Sequence, residues 1–281
     1  MTELKTRKIA IGIVGALFIM IISQLCSQLI ASLLVIIHIP IFLCNMVAGI
    51  MYIVFTLLIS NQFIKRILKC ESKDLSIPRF DPKIGWIVTA VLLPASITVI
   101  YLLMPGDLQS SGMSTIQVLE TISAGVFFVG LGAGIVEEIV FRGIIMNLIQ
   151  HKWGRKAAII IPSVLFGLVH IIGMNFNLLS CLQVLVAGTA VGIMFSLITL
   201  HYNSIWNSAM VHSVWNTIII GGIISIGEKA DSYSIYSYVL DTDKFAITGG
   251  EFGIESSIIA IVGYTIVSII AYMGIKRNIK K

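Results

Sequence analysis

Two adjacent carboxylates, Glu137 and Glu138, stand just ahead of Arg142 in the string VEEIVFRG, inside one of the most apolar stretches of this 281-residue chain. A charge at the centre of a membrane-spanning helix costs about 2.5 to 3.5 kcal/mol on insertion scales, so three together need a reason. On a helix Glu138 and Arg142, at i and i+4, share a face and can neutralise each other. The 3.6-residue period turns Glu137 about 100° away and leaves it unpaired. An unpaired buried carboxylate suits a general base. The alternative is a structural three-charge cluster bonding to neighbouring helices, and this motif alone does not choose.

Two more polar constellations follow. FGLVH places Phe166 and His170 one helical turn apart, and HSVWN places His212 and Asn216 at i and i+4. A single intramembrane histidine is often only a packing residue. Three helices that each offer reactive groups are harder to dismiss. Carboxylate, imidazole and amide converging in a water-accessible cavity can activate water and stabilise an oxyanion, as peptide-bond hydrolysis requires.

The elements that must position these groups are membrane helices. The chain is 57% hydrophobic and 12% charged, with a mean hydropathy of +0.98, whereas soluble domains carry about 25% charged residues. In lipid a helix satisfies its own backbone and irregular chain does not. The expected fold class is all-α, a polytopic membrane protein with about eight transmembrane helices and both termini cytoplasmic. Taking about 20 apolar residues per crossing, the spans fall near 9–36, 41–64, 85–104, 121–150, 157–172, 179–200, 204–226 and 254–275. Pro40 cannot continue a helical ladder, so a tight turn is expected at 38–40. The run after Lys5, Arg7 and Lys8 is too long for a signal-peptide core and reads as a start-transfer anchor. Charge placement sets the orientation. With the amino terminus inside, all of the 19 Lys and Arg residues except Arg142, Lys229 and Lys244 fall in the inner segments 1–8, 65–84, 151–156, 201–203 and 276–281. The outer side collects Asp107, Glu120, Glu228, Asp231, Asp241, Asp243, Glu251 and Glu255. The net charge of +5 expresses this asymmetry and says nothing for nucleic acid; the basic 65–73 loop suits anionic lipid headgroups. Three stretches are expected: 1–120, helices of unassigned role; 121–226, a catalytic core; 227–281, an outer loop and last helix.

At about 1.5 Å rise per residue, Glu137, His170, His212 and Asn216 come out about 20, 21, 12 and 18 Å from the cytoplasmic ends of their spans, so they can meet. The ordered set Glu-Glu-x-x-x-Arg, Phe-x-x-x-His and His-x-x-x-Asn resembles the CPBP family: CAAX prenyl proteases and bacteriocin-processing or immunity proteins, also called the Abi family. The resemblance covers about residues 121–226. It implies that Glu137 and His170 position and activate the attacking water, that His212 and Asn216 form the oxyanion hole, and that Glu138 and Arg142, with Phe166, hold the site together. Family members are often labelled metalloproteases, and Glu137, His170 and His212 could supply three zinc ligands. A metal-free mechanism is the reading preferred, because a His212 nitrogen that donates to an oxyanion cannot also bind zinc.

Other features take plainer readings. Gly130, Gly132 and Gly134 beside the Glu pair, and Gly188 and Gly192, suit close helix packing. Cys26, Cys44, Cys70 and Cys181 are expected to form no disulfide. Trp206, Trp86 and Trp153 suit interfacial anchoring, Trp215 a cavity wall, and His38, His151 and His201 lie at span ends. The 227–253 loop reads as a solvated connector that could cap the cavity. The expectation is an intramembrane endopeptidase acting on a peptide or protein substrate, in contact with membrane lipids, in a prokaryotic plasma membrane. The rivals are a non-catalytic scaffold or bacteriocin-immunity protein, and a proton-coupled transporter, which buried Glu and His would also suit.

Overall fold

A computed structural model describes residues 6–172, 174 and 177–279, the last by its backbone only; Lys5, Lys280 and Lys281 of the terminal basic segments lie outside it. The order is α1 (Thr6–Ile36), α2 (Ile41–Phe63), α3 (Ile84–Leu102), β1 (Gly106–Ser110), α4 (Thr115–Ser123), α5 (Gly134–Glu137), α6 (Met146–Val169), α7 (Leu178–Tyr202), α8 (Ile205–Trp215), β2 (Ile224–Gly227), β3 (Tyr236–Leu240), α9 (Phe245–Thr248) and α10 (Ile258–Ile279). Stretches bonded i to i+5 (π-helix) bridge α4 to α5 over Ala124–Ala133 and α5 to α6 over Glu138–Ile145. The helix α4 begins with a capping box, in which the Ser114 hydroxyl accepts from the Gln117 amide and Gln117 returns the contact to the Ser114 amide. The turn expected at 38–40 is present, with His38 at φ 65° and Pro40 extended ahead of α2.

The chain is mostly helical, 77%, and its outer helices turn many of their large apolar residues outward. On α1 the buried positions are Ile9, Gly12, Ala16, Ile19, Ser23 and Ser27, while Phe18, Leu25, Leu29 and Leu33 point outward, exposed. Four of these six buried residues are small or hydroxylated and the outward ones are large and apolar, as helix association in lipid favours. With six helices long and apolar enough to cross a bilayer among the described residues, this is an integral, multi-pass membrane protein.

Six is fewer than the eight expected, and two places account for the difference. The expected fourth and fifth spans follow each other without a loop in Thr115–Val169. They are two helices joined at Gly154, within the expected 151–156 connection, at φ 79° and ψ 176°, a backbone conformation open essentially only to glycine. Unbroken, 55 residues would reach about 80 Å, well beyond a core of about 30 Å. The expected seventh span is α8 with its π-helical end Asn216–Ile220; it stops short of the length a crossing needs because the chain turns at Gly221 and Gly222 into β2.

The all-α expectation also missed a small sheet, ordered β1-β3-β2. β1 and β3 come from segments expected as outer connectors and β2 from the end of the expected seventh span, with β1 antiparallel and β2 parallel to β3. The 227–253 segment is therefore more than a solvated loop: Leu240, Ser234 and Ser237 are buried within it. Two apolar clusters form the interior. One gathers α3, α7, α8 and α10 around Tyr101, Phe195, Trp215 and Tyr264; the other gathers α1, the turn after α2 and α6 around Ile9, Phe141, Leu148 and Phe166.

Candidate active site

Between α5, α6, α7 and α8 lies a cavity of about 270 Å³ whose wall includes Glu137, Phe166, His170, His212 and Asn216. All the residues singled out for chemistry thus meet in one place. Glu138 and Arg142 stand behind the wall, both with no exposure.

Close backbone approach makes the meeting possible. A side chain on Gly134 would fall 2.6 to 2.8 Å from Ser213, and one on Gly130 would fall 2.1 Å from the Thr217 hydroxyl. These glycines let α8 lie directly against the glutamate-bearing helix. Gly188 meets the Gly167 backbone and Gly192 the Ser163 backbone in the same way, drawing α7 onto α6 and setting Phe166 and His170 at the cavity edge.

The supporting layer is a chain of charge-assisted bonds. Arg142 donates to Glu138 Oε1 at 2.8 Å and to the Gly192 carbonyl at 3.2 Å. The same Glu138 oxygen lies 3.1 Å from His212 Nδ1. The guanidinium stacks over Phe166 at 4.6 Å and Phe195 at 5.1 Å, and His212 stacks on Phe195 with ring centres 4.5 Å apart. With Nδ1 turned to Glu138, it is His212 Nε2 that faces the front, 3.7 Å from Glu137 Oε2.

At the front, Glu137 keeps a buried oxygen, Oε2, with no hydrogen-bond partner among the described residues. Native proteins satisfy most buried polar atoms, so an exception asks for an explanation. His170 Nδ1 lies 2.7 Å from the Phe166 carbonyl; donating there, the ring has its Nε2 lone pair free. Asn216 spends one amide proton on the Val129 carbonyl at 3.1 Å and retains a second.

Three wall residues come from the end of the chain: Phe252, Glu255 and Tyr264. Sequence reasoning placed Glu255 among the outer acids, since nothing local distinguishes it from the exposed carboxylates around it. Burial pushes its carboxyl up to about 8; the Trp215 side chain hydrogen-bonds to it and opposes the shift, and the charge on Glu137 adds to it. Glu255 nonetheless retains partial exposure, which is to the cavity itself. Trp215, expected as a cavity wall, is one.

No group of three or more His, Cys, Asp or Glu side chains among the described residues is arranged to hold a metal ion. Glu137, His170 and His212 line one cavity without forming such a set, so the residues as they stand do not fit a resident metal.

The site is of a definite class: a carboxylate, two imidazoles and an amide enclosed in a helical membrane protein and braced by a buried ion pair. Residues 119–218 match the family model described as Type II CAAX prenyl endopeptidase Rce1-like. The family resemblance carried by the three motifs holds over that segment, and the family is one of proteases. No curated protein and no solved structure matches the chain.

Proposed function

We propose that this chain is an intramembrane endopeptidase that hydrolyses a peptide bond of a membrane-proximal or lipidated polypeptide by direct attack of water. The observation that carries the reading is the Glu137 oxygen that makes no hydrogen bond, in the same cavity as His170, His212 and Asn216. Glu137 accepts a proton from the water, and His170 Nε2 holds the water's second proton, fixing its direction of attack. The oxyanion receives hydrogen bonds from His212 Nε2 and the spare Asn216 amide proton. A ring that donates from both nitrogens is cationic, and the carboxylates of Glu138 and Glu137, at 3.1 and 3.7 Å, are its counter-charge. No acyl-enzyme forms, because neither Ser nor Cys partners the motif histidines.

The polypeptide substrate is a CAAX-like tail, a bacteriocin or a signal-peptide precursor. We place residues 121–226 as the catalytic core, both termini in the cytoplasm and the protein in a prokaryotic plasma membrane. An inert scaffold or immunity protein has no evident use for a carboxylate that faces a cavity beside two histidines without a hydrogen bond of its own. A proton-coupled transporter would need its polar groups along a path, and here they are gathered in one cavity.

The test compares wild type with Glu137→Gln by quantitative peptidomics of producing cells. Fragments present in wild type should vanish in the variant, with folded protein and partner binding retained. An unchanged peptidome with an intact cellular phenotype would move the reading to a scaffold.

A further inference from the structure

Resting on that proteolytic reading, we propose that Glu255 is a further catalytic carboxyl, the proton donor to the amine that leaves when the peptide bond breaks. It lies beyond the 119–218 segment that matches the family model, in the turn Ile254–Ser256 ahead of the membrane-spanning run Ile258–Asn278.

Its placement in the cavity is built from its neighbours. The Tyr264 hydroxyl donates to the Glu255 carbonyl at 3.0 Å, and Gln183 on α7 donates to the Ser256 carbonyl at 2.9 Å. Trp215, on the same cavity wall, packs edge-on against Tyr264, ring centres 5.1 Å apart. Because Trp215 sits between His212 and Asn216 in sequence, the element that carries the oxyanion donors also packs against the helix that holds the Glu255 backbone.

The groups around it explain why it holds a proton. Glu137 on α5 is a like charge; His170 at the end of α6 and His212 on α8 share the wall; Tyr264 on α10 and, behind it, Tyr101 on α3 add no positive charge. No Lys or Arg lines the cavity. Two carboxyl groups in one enclosed space cannot both ionise easily, and since His212 Nε2 balances Glu137 at 3.7 Å, Glu255 is the one that keeps its proton. The environments thus separate the two, with Glu137 as base and Glu255 as acid.

The step balances. Water oxygen bonds to the carbonyl carbon as Glu137 takes one water proton. The C–N bond then breaks with its electron pair going to nitrogen, which takes the Glu255 proton. The products are a carboxylic acid and an amine, and a proton passing from Glu137 to Glu255 through cavity water resets both groups.

The experiment uses the full-length protein in nanodiscs with two probes. One is an internally quenched peptide spanning a cleavage site mapped in producing cells; the other is its analogue with the scissile amide replaced by an ester, whose alcohol leaves without needing a proton so urgently. Glu255→Gln should lower kcat on the amide about 10²-fold, in the range of general acid catalysis, with KM unchanged, and leave kcat on the ester near wild type. Wild-type kcat on the amide should fall as pH rises through about 8, because the acid form is lost, and this limb should be absent with the ester. Both probes meet the same Glu137, His170 and His212, so the difference between the two profiles isolates the leaving-group step. Equal losses on both probes, or none on the amide, overturn the assignment. If Glu255→Gln does not fold, the two wild-type pH profiles decide alone. Glu137→Gln inactive on both probes beside a fully active Glu255→Gln sinks only the Glu255 assignment; an active Glu137→Gln sinks Glu137 as the base and this proposal with it, and a wild type that cleaves neither probe sinks the proteolytic reading.

Discussion

Two glutamates adjacent in sequence have opposite surroundings. Glu138 has no exposure and is held by Arg142 and His212 through one oxygen, whereas the Glu137 side chain is 20% exposed, toward the cavity. That difference separates the consequences of substituting them. Removing one partner of a buried ion pair costs about 3 to 5 kcal/mol, because the other charge is left stranded. Arg142→Ala and Glu138→Gln should therefore lower both the yield of folded protein and its thermal midpoint in detergent, and activity with them. Glu137→Gln should lose activity at a wild-type melting temperature. Equal melting temperatures for all three variants would show that the Glu138–Arg142 pair does not support the site.

Helix elements meet here through absent side chains. The approach of α8 to α5 depends on Gly134, where a Cβ would fall within 2.8 Å of the Ser213 backbone; backbone cannot step aside as the end of a flexible side chain can. Gly134→Val should push His212 away from Glu138, cutting turnover severely and costing about 1 to 3 kcal/mol as overpacking does. Gly85, on α3, has nothing within 4 Å of its Cβ position, so Gly85→Ala serves as the control and should melt like wild type. Circular dichroism melts beside turnover on one peptide would check both. The π-helical stretches on either side of α5 belong to the same local design: i to i+5 bonding is uncommon and occurs frequently at functional sites, and here it flanks Glu137 on both sides.

For the whole molecule, the long apolar helices and their apolar exterior set the location, and the strands and the last helix complete the site. Phe252, Glu255 and Tyr264 join the cavity wall from residues after 226, with Phe252 6.2 Å from the His170 ring. Orientation is open to a direct test. In a background with the four native cysteines replaced, a cysteine at exposed Ser232 should react with a membrane-impermeant maleimide in intact cells, and one at exposed Lys73 only after permeabilisation. The reverse pattern would invert the topology.

The sequence by itself determined the membrane class, the pairing of Glu138 with Arg142 and the set of groups that meet in the cavity. These follow from short-range rules: the cost of charge in lipid, the i to i+4 helical face, and the motif spacing shared with a known family. The break between the fourth and fifth spans was legible as the basic stretch 151–156, but its form, a single Gly154 kink and not a loop, was not, because glycine permits that backbone conformation without demanding it. Tertiary structure alone decided the sheet, whose partners β1 and β3 lie more than a hundred residues apart, the facing of His212 Nδ1 onto Glu138, and the entry of Glu255 into the cavity. Each of those is a contact between segments distant in sequence. No local pattern marks such a contact, since the energy that selects it arises only when both partners are packed.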